Sequence, residues 1–413
     1  MNASFFLCIF KILFSCSSRI TAIMSKSLAL QLMESYVQRT GAVASATTPG
    51  LPRYLWTDSF AVMNFLALQK PDSAQAIIQH VHQVLARQRS EKYPEKYLDG
   101  ASDDHPTLGG LRIGKKLDER QPSDPYDRDL EWDRDGQYFH YLTKWMWALD
   151  HAARCLHQPT LNLWARELAA TAHRKFTYGA RQKRMYWKMS VDLSRPLVES
   201  QGHHDPLDGL ITAMQLQETA REVGGQATGP ELEEVVRDYL EMVQDGQFTT
   251  TDALGLGGLL VDAGRVEELI RRGRQEISAG TSQLRIATTS ALLDRLLSCS
   301  LSGLKAFAHC EFDEKESANY RLAFRELGLA IGMNVVKALW EEPQFAGSDA
   351  AKKALNDIAA FDYVREKIVG FWTQDVNRKG KTYTEHRDIN DVMLATAMLD
   401  GVVAASQPKR EEL

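Results

Sequence analysis

The sequence predicts an all-α fold, one large domain with two long loop insertions, in which six helical hairpins close into an (α/α)6 barrel. Three observations lead there. Helical segments of two kinds alternate along the 413-residue chain. One kind carries a single apolar stripe, as a helix does when its other face meets water. The second kind is apolar nearly all round, as a helix is when neighbours cover every side. Sustained period-two runs with turn dipeptides, the mark of strands, are scarce. A ring of all-round apolar helices inside a ring of one-sided ones buries this alternation. Strand content is expected below ~5%, against ~20–25% in an average globular chain.

The first outer helix is expected over residues 26–39, and the first inner one over 56–69, WTDSFAVMNFLALQ, which has almost no solvated face. Residues 73–89 are outer, with Ile77, Val81, Val84 and Leu85 on one stripe. Residues 90–135 form the first insertion, rich in Pro, Gly and Asp; a non-helical stretch of that length inside a domain is usually functional or disordered. The aromatic segment 136–151 is inner, and 160–175 is outer through Leu161, Trp164 and Leu168. Residues 177–204 make the second insertion, and 205–217 the third inner helix. In 230–244, Leu232, Val235, Val236, Tyr239, Leu240 and Val243 form one stripe, with Pro230 just inside the start. Residues 252–263 are inner. The stretch 264–310 holds a short helix (265–276) and a long apolar one (284–309), whose inner or outer place stays open. Residues 318–340 are inner, 349–368 outer and 388–402 inner. The domain is expected over 25–404, with a disordered tail over 405–413. Residues 1–24 stand apart as an over-extended start or an organellar leader, with Lys11 and Arg19 but no acid before Glu34.

Composition narrows the function. With 49 Lys and Arg against 54 Asp and Glu, the net charge is −5, unsuited to a nucleic-acid backbone binder. No run of 18 apolar residues is present, so no membrane span is expected. Five cysteines without zinc spacing point to a reduced compartment, the cytoplasm, and to neither a disulfide scaffold nor a metal site. No cofactor is expected, and the partner is a small-molecule or oligosaccharide substrate.

The chemistry-bearing residues collect where inner helices begin. Asp58 opens one, Asp133 and Asp135 precede the second, and His203, His204, Asp205 and Asp208 open the third. Asp252 opens the fourth, and His386, Arg387, Asp388, Asn390 and Asp391 the sixth. Parallel inner helices bring their positive N-terminal ends to one mouth. Each Asp alone is equally a helix cap, Asp252 above all. Glycosidic cleavage needs one protonated and one ionised carboxyl group. Asp133, beside Trp132 and near Asp135, suits the acid. Asp205 or Asp208, on a helix N-terminus, suits the base, and Asp58 either role. Trp56, Trp132, Tyr138, Tyr186 and Trp187 are expected to stack on sugar rings, and Arg112, Arg195 and Arg387 to grip an anionic group. Two alternatives stay open. A sugar epimerase would use His204 and His386 as bases. A non-catalytic toroid would only bind its ligand.

The organisation resembles the six-hairpin glycosidase-like superfamily over about residues 26–403. Within it, LEWDRDGQYFHYLTKWMWALD (130–150), RMYWKMSVDLSRPL (184–197) and HHDPLDGLI (203–211) look like an uncharacterised, mainly bacterial group. The resemblance implies the toroid and action on carbohydrates. It carries no catalytic residue across, because the superfamily's hydrolases and epimerases differ in mechanism.

Overall fold

Helices α1 (23–40) and α2 (Leu55–Ala67) open the fold in a computed structural model that describes residues 23–43, 53–89, 96–224, 228–277, 283–310, 312–399 and 401–402. The expected leader, but for Ile23 and Met24, and the expected tail lie outside the described residues. The protein is mostly helical, at 66% helix and 4% strand, in keeping with the predicted class. No helix among the described residues is long and apolar enough to cross a membrane.

The two kinds of helix are plain in their burial. In α2 every residue from Leu55 to Phe65 is buried. In α7 (Asp205–Glu222) the same holds from Asp205 to Leu216. By contrast α8 (Glu233–Gln244) buries only Val235, Asp238, Tyr239 and Val243, a stripe at helical spacing. The all-round apolar helices pack in a closed cycle. Helix α2 lies on α5 (Phe139–Leu156), α5 on α7, and α7 on α9 (Ala253–Ile277). In turn α9 lies on α11 (Ala323–Glu341), α11 on α16 (Arg387–Met398), and α16 back on α2. Outside them, α3 (Pro71–Leu85) packs on α2, α6 (Pro159–Phe176) on α5, α8 on α7, and α10 (Gln283–Cys310) on α9. Helices α12 (Asp349–Ala359) and α13 (Asp362–Trp372) cover α11. Buried apolar side chains form one cluster from Ala29 to Val402.

Contacts also link the N-terminal ends of these helices, directly or through the residues that flank them. The rings of Trp56 and His140 lie 6.1 Å apart, and Thr143 Oγ1 donates to Asp208 at 2.5 Å. His204 contacts the Phe248 carbonyl at 2.9 Å, and Asp252 pairs with Arg325. Phe324 lies against His386 at 6.5 Å, and Arg39 holds Asp388 at 2.9 Å. Glycines allow the tightest of these packings. A Cβ on Gly257 would sit 2.0 Å from the Gly328 carbonyl oxygen, so α9 and α11 approach backbone to backbone.

Several expectations shift. The segment 265–276 is no separate helix: it continues α9, with Arg265, Glu267 and Glu268 buried. The long helix after it is outer. The stretch 349–368 breaks at Ala360–Phe361, because α12 packs towards α10 while α13 turns to α16. Pro230 precedes its helix rather than opening it, and its carbonyl accepts from Arg166 instead.

The little strand among the described residues lies in the second insertion and directly after the first, where residues 137–138 form a strand rather than the start of the expected helix, and it joins the two insertions. Strand β1 (Gln137–Tyr138) pairs antiparallel with β4 (Lys188–Met189), and β4 with β5 (Pro196–Val198). A second pair joins β2 (Thr177–Tyr178) to β3 (Arg184–Met185). The first insertion also carries the short helix α4 (Arg128–Asp133), capped by Asp127. Lys188, fully buried, donates to the carbonyls of Glu131 and Arg134 at 2.7 and 2.9 Å and to Glu131 Oε1 at 2.8 Å. One ammonium thus closes the C-terminal end of α4 and ties it to β4.

Candidate functional site

The site grows from the start of α5. Phe139 turns outward onto Phe176 and Tyr239, at 5.6 and 5.8 Å. His140 and Tyr141, beside it, and Lys144, one turn on, are only partly buried and share another side of the helix. Around His140 stand Trp56 at 6.1 Å, Tyr138 at 5.3 Å, Tyr141 at 4.8 Å and Trp187 at 6.1 Å. Trp132, 42% exposed, extends this aromatic group outward, 5.0 Å from Trp187 and 6.3 Å from Tyr138. Tyr54 closes it on the other side through a 2.5 Å hydroxyl contact with Tyr141. Trp187 Nε1 donates to His140 Nδ1 at 3.1 Å. Burial, with Lys144 adding, lowers the His140 pKa to about 3, so the ring is neutral.

Next to this group lies a charged cluster built on α7. Asp208 accepts from Thr143 at 2.5 Å, Lys144 at 2.8 Å and Arg265 at 2.9 Å. Arg265 also reaches Asp262 at 3.1 Å, Gln215 at 2.7 Å and Thr212 at 2.8 Å. Burial pushes Asp208 up, but Lys144 and Arg265 outweigh it and hold the carboxyl below its ordinary range. Asp262 goes the other way, raised by burial and by the Asp208 charge. Asp205 is 5% exposed, and its Oδ2 makes no hydrogen bond among the described residues. Burial, reinforced by the Asp208 charge, raises Asp205 to about 7. Environments that drive neighbouring carboxyls apart in this way are the usual basis for separate acid and base roles.

The expected residues therefore divide. Trp56, Trp132, Tyr138 and Trp187 come together as an aromatic group, and Asp205 and Asp208 as an interacting pair. Asp205 departs from the ionisation expected of it: the helix N-terminus was expected to favour its anion, but burial and a like charge three residues away push its pKa up. Asp133 is solvent-exposed at the end of α4 rather than walled in by apolar groups, and its charge reaches Tyr138. Asp58 is a structural group, buried and bound to Tyr36, Arg53 and the Tyr54 amide. Asp135 is likewise spent on Arg112 at 2.5 Å and on the amides of Gly114 and Lys115. Arg112 is committed in turn to the carbonyls of Arg87 and Val84. Arg195 reaches the Arg120 carbonyl and lies 3.8 Å from Glu119. Tyr186 stacks on Tyr178 at 4.3 Å, its backbone amide bound to Phe176, and among the described residues its ring makes no contact with the aromatic group. His386 and Arg387 are exposed at the start of α16. His204 is bound to the Phe248 carbonyl, and no contact among the described residues brings it to His386. Asp252 caps α9 through the Gly255 amide, as its sequence suggested. No group of three or more candidate metal ligands occurs among the described residues.

Sequence reasoning passed over His140, Tyr141, Lys144, Asp262 and Arg265. A signal existed: His140 and Lys144 stand four apart in an otherwise apolar segment, and polar side chains there must serve one another or a ligand. No family model and no solved structure matches this chain.

Proposed function

We propose that residues 25–404 form one (α/α)6 toroid and that the protein is a carbohydrate-active hydrolase whose site lies between α5 and α7. The closed cycle of six packed, largely buried helices supports the toroid. One observation carries the chemistry: a buried Asp205 whose Oδ2 is unpartnered among the described residues, beside an ionised Asp208 and a large aromatic group. In this reading Asp205 is the general acid and gives its proton to the glycosidic oxygen as the bond breaks. Asp208, locked by three donors, keeps that proton in place by its charge. Asp133, exposed next to Trp132, serves as the second carboxyl group of the pair, reversing the assignment that helix position alone suggested. Trp132 and Trp187 offer the sugar its stacking faces.

The test is a screen of the full chain against oligosaccharides, scoring released reducing ends and interconverted sugars. Asp205→Asn should keep the fold and lower hydrolysis ~10²–10⁴-fold. Turnover that survives this substitution would overturn the assignment, and interconverted sugars without cleavage would favour an epimerase.

A further inference from the structure

We propose that the ring N–H groups of Trp56 and His140 are two fixed donors that read oxygen atoms of a pyranoside, and that Trp187 selects which His140 nitrogen donates. This rests on the carbohydrate reading and assigns two side chains their part in it. Trp56 is 8% exposed and packed against Phe60 at 5.4 Å and Tyr141 at 5.4 Å, so its ring has no open face for stacking. Its Nε1 is buried and makes no hydrogen bond among the described residues. A buried indole N–H ordinarily finds an acceptor, and an orphaned one costs free energy until it does. A ligand oxygen supplies that acceptor.

His140 is fixed by a different argument. An indole nitrogen only donates, so the 3.1 Å contact from Trp187 makes His140 Nδ1 an acceptor. A neutral ring then carries its proton on Nε2, and Nε2 makes no hydrogen bond to a described residue. Both donors lie in one aromatic group, their rings 6.1 Å apart, next to Lys144 and the Asp205–Asp208 pair. Aromatic walls with N–H donors between them match a sugar, which is apolar on its ring faces and oxygen-rich at its edge.

Two measurements on the full chain test this. Long-range ¹H–¹⁵N correlation of the ¹⁵N-histidine-labelled protein at pH 7 should show His140 as the Nε2–H tautomer, and Trp187→Phe should turn it into a tautomer mixture. An Nδ1–H ring in the wild type, or no change in Trp187→Phe, overturns the orienting role. Titration with cellotriose, maltotriose and xylotriose, followed by tryptophan fluorescence, tests the donors. Trp56→Phe and His140→Leu should each weaken binding ~10-fold, the loss typical of one hydrogen bond in a closed site. His140→Gln, which returns an N–H near Nε2, should recover most of it. Sugars that bind the wild type and both variants equally refute the donors and leave the carbohydrate reading standing. Binding of none of the three by the wild type overturns the carbohydrate reading, and the donors with it.

Discussion

Replacing Asp205 by Asn should make the protein more stable, and only above mildly acidic pH. The carboxyl has a folded pKa of about 7, against ~3.9 in an unfolded chain. A raised folded pKa means that the stability it contributes is fully present below ~4 and is lost as pH rises through 7. Three units at ~1.4 kcal/mol each amount to ~4 kcal/mol lost by pH 8. Asn has the shape of the protonated acid and escapes that loss. With an unfolding entropy of ~2.1 cal/mol/K per residue, a domain of this size gives ~0.8 kcal/mol/K, so the gain is ~5 °C in Tm. Thermal unfolding followed by circular dichroism from pH 5 to pH 8.5 reads it directly. The two proteins should melt closer together at pH 5, and the variant should pull ahead steadily until about pH 7. An offset independent of pH, or a variant less stable at pH 8.5, would mean that Asp205 is an ordinary ionised helix-start carboxylate, and the general-acid assignment would fall with it.

Other perturbations probe the frame around the site. Lys188→Met removes three hydrogen bonds from a fully buried ammonium and leaves Glu131 without one of its two cations, the other being Arg120. It should cost ~3–5 kcal/mol, or ~4–6 °C in Tm, and change the fluorescence of the Trp132–Trp187 pair. Wild-type melting in this variant would show that α4 does not depend on Lys188. Gly257→Ala should destabilise by ~2–3 kcal/mol in denaturant titration, since its Cβ meets the Gly328 carbonyl. Gly258→Ala, with nothing within 4 Å of its Cβ, should instead gain ~0.5–1 kcal/mol from helix propensity. Equal effects at the two glycines would contradict the close approach of α9 and α11.

The helices of the ring were legible because burial on every side leaves a compositional trace that no solvated helix shares. The segments 56–69 and 205–217 read as inner in the sequence, and the structure buries Leu55–Phe65 and Asp205–Leu216 throughout. The insertions were less legible for a physical reason. They are held together by buried polar groups, namely Lys188 with Glu131, Arg112 with Asp135, and Gln137 with the Gly109 and Val191 carbonyls, and such pairs have no periodicity. The Asp205 assignment turned on a balance of two opposing fields. Helix position is visible in sequence; the depth of burial and the Asp208 charge that outweighs it are tertiary facts. Asp58 and Asp135 illustrate the same limit, since a carboxylate at a helix start looks alike whether it faces a ligand or an arginine.

The closure of the ring sets a schedule for making this protein. Asn64 in α2 donates to the Val392 carbonyl in α16, 328 residues later, and Arg39 waits 352 residues for Asp391. At a synthesis rate of ~5–20 residues per second, α2 is complete roughly 15–65 seconds before its last neighbour exists. Through that interval the flank of α2 that α16 covers in the finished protein has no such partner. The same flank is where a holding chaperone would bind, and where two unfinished chains would exchange their terminal helices.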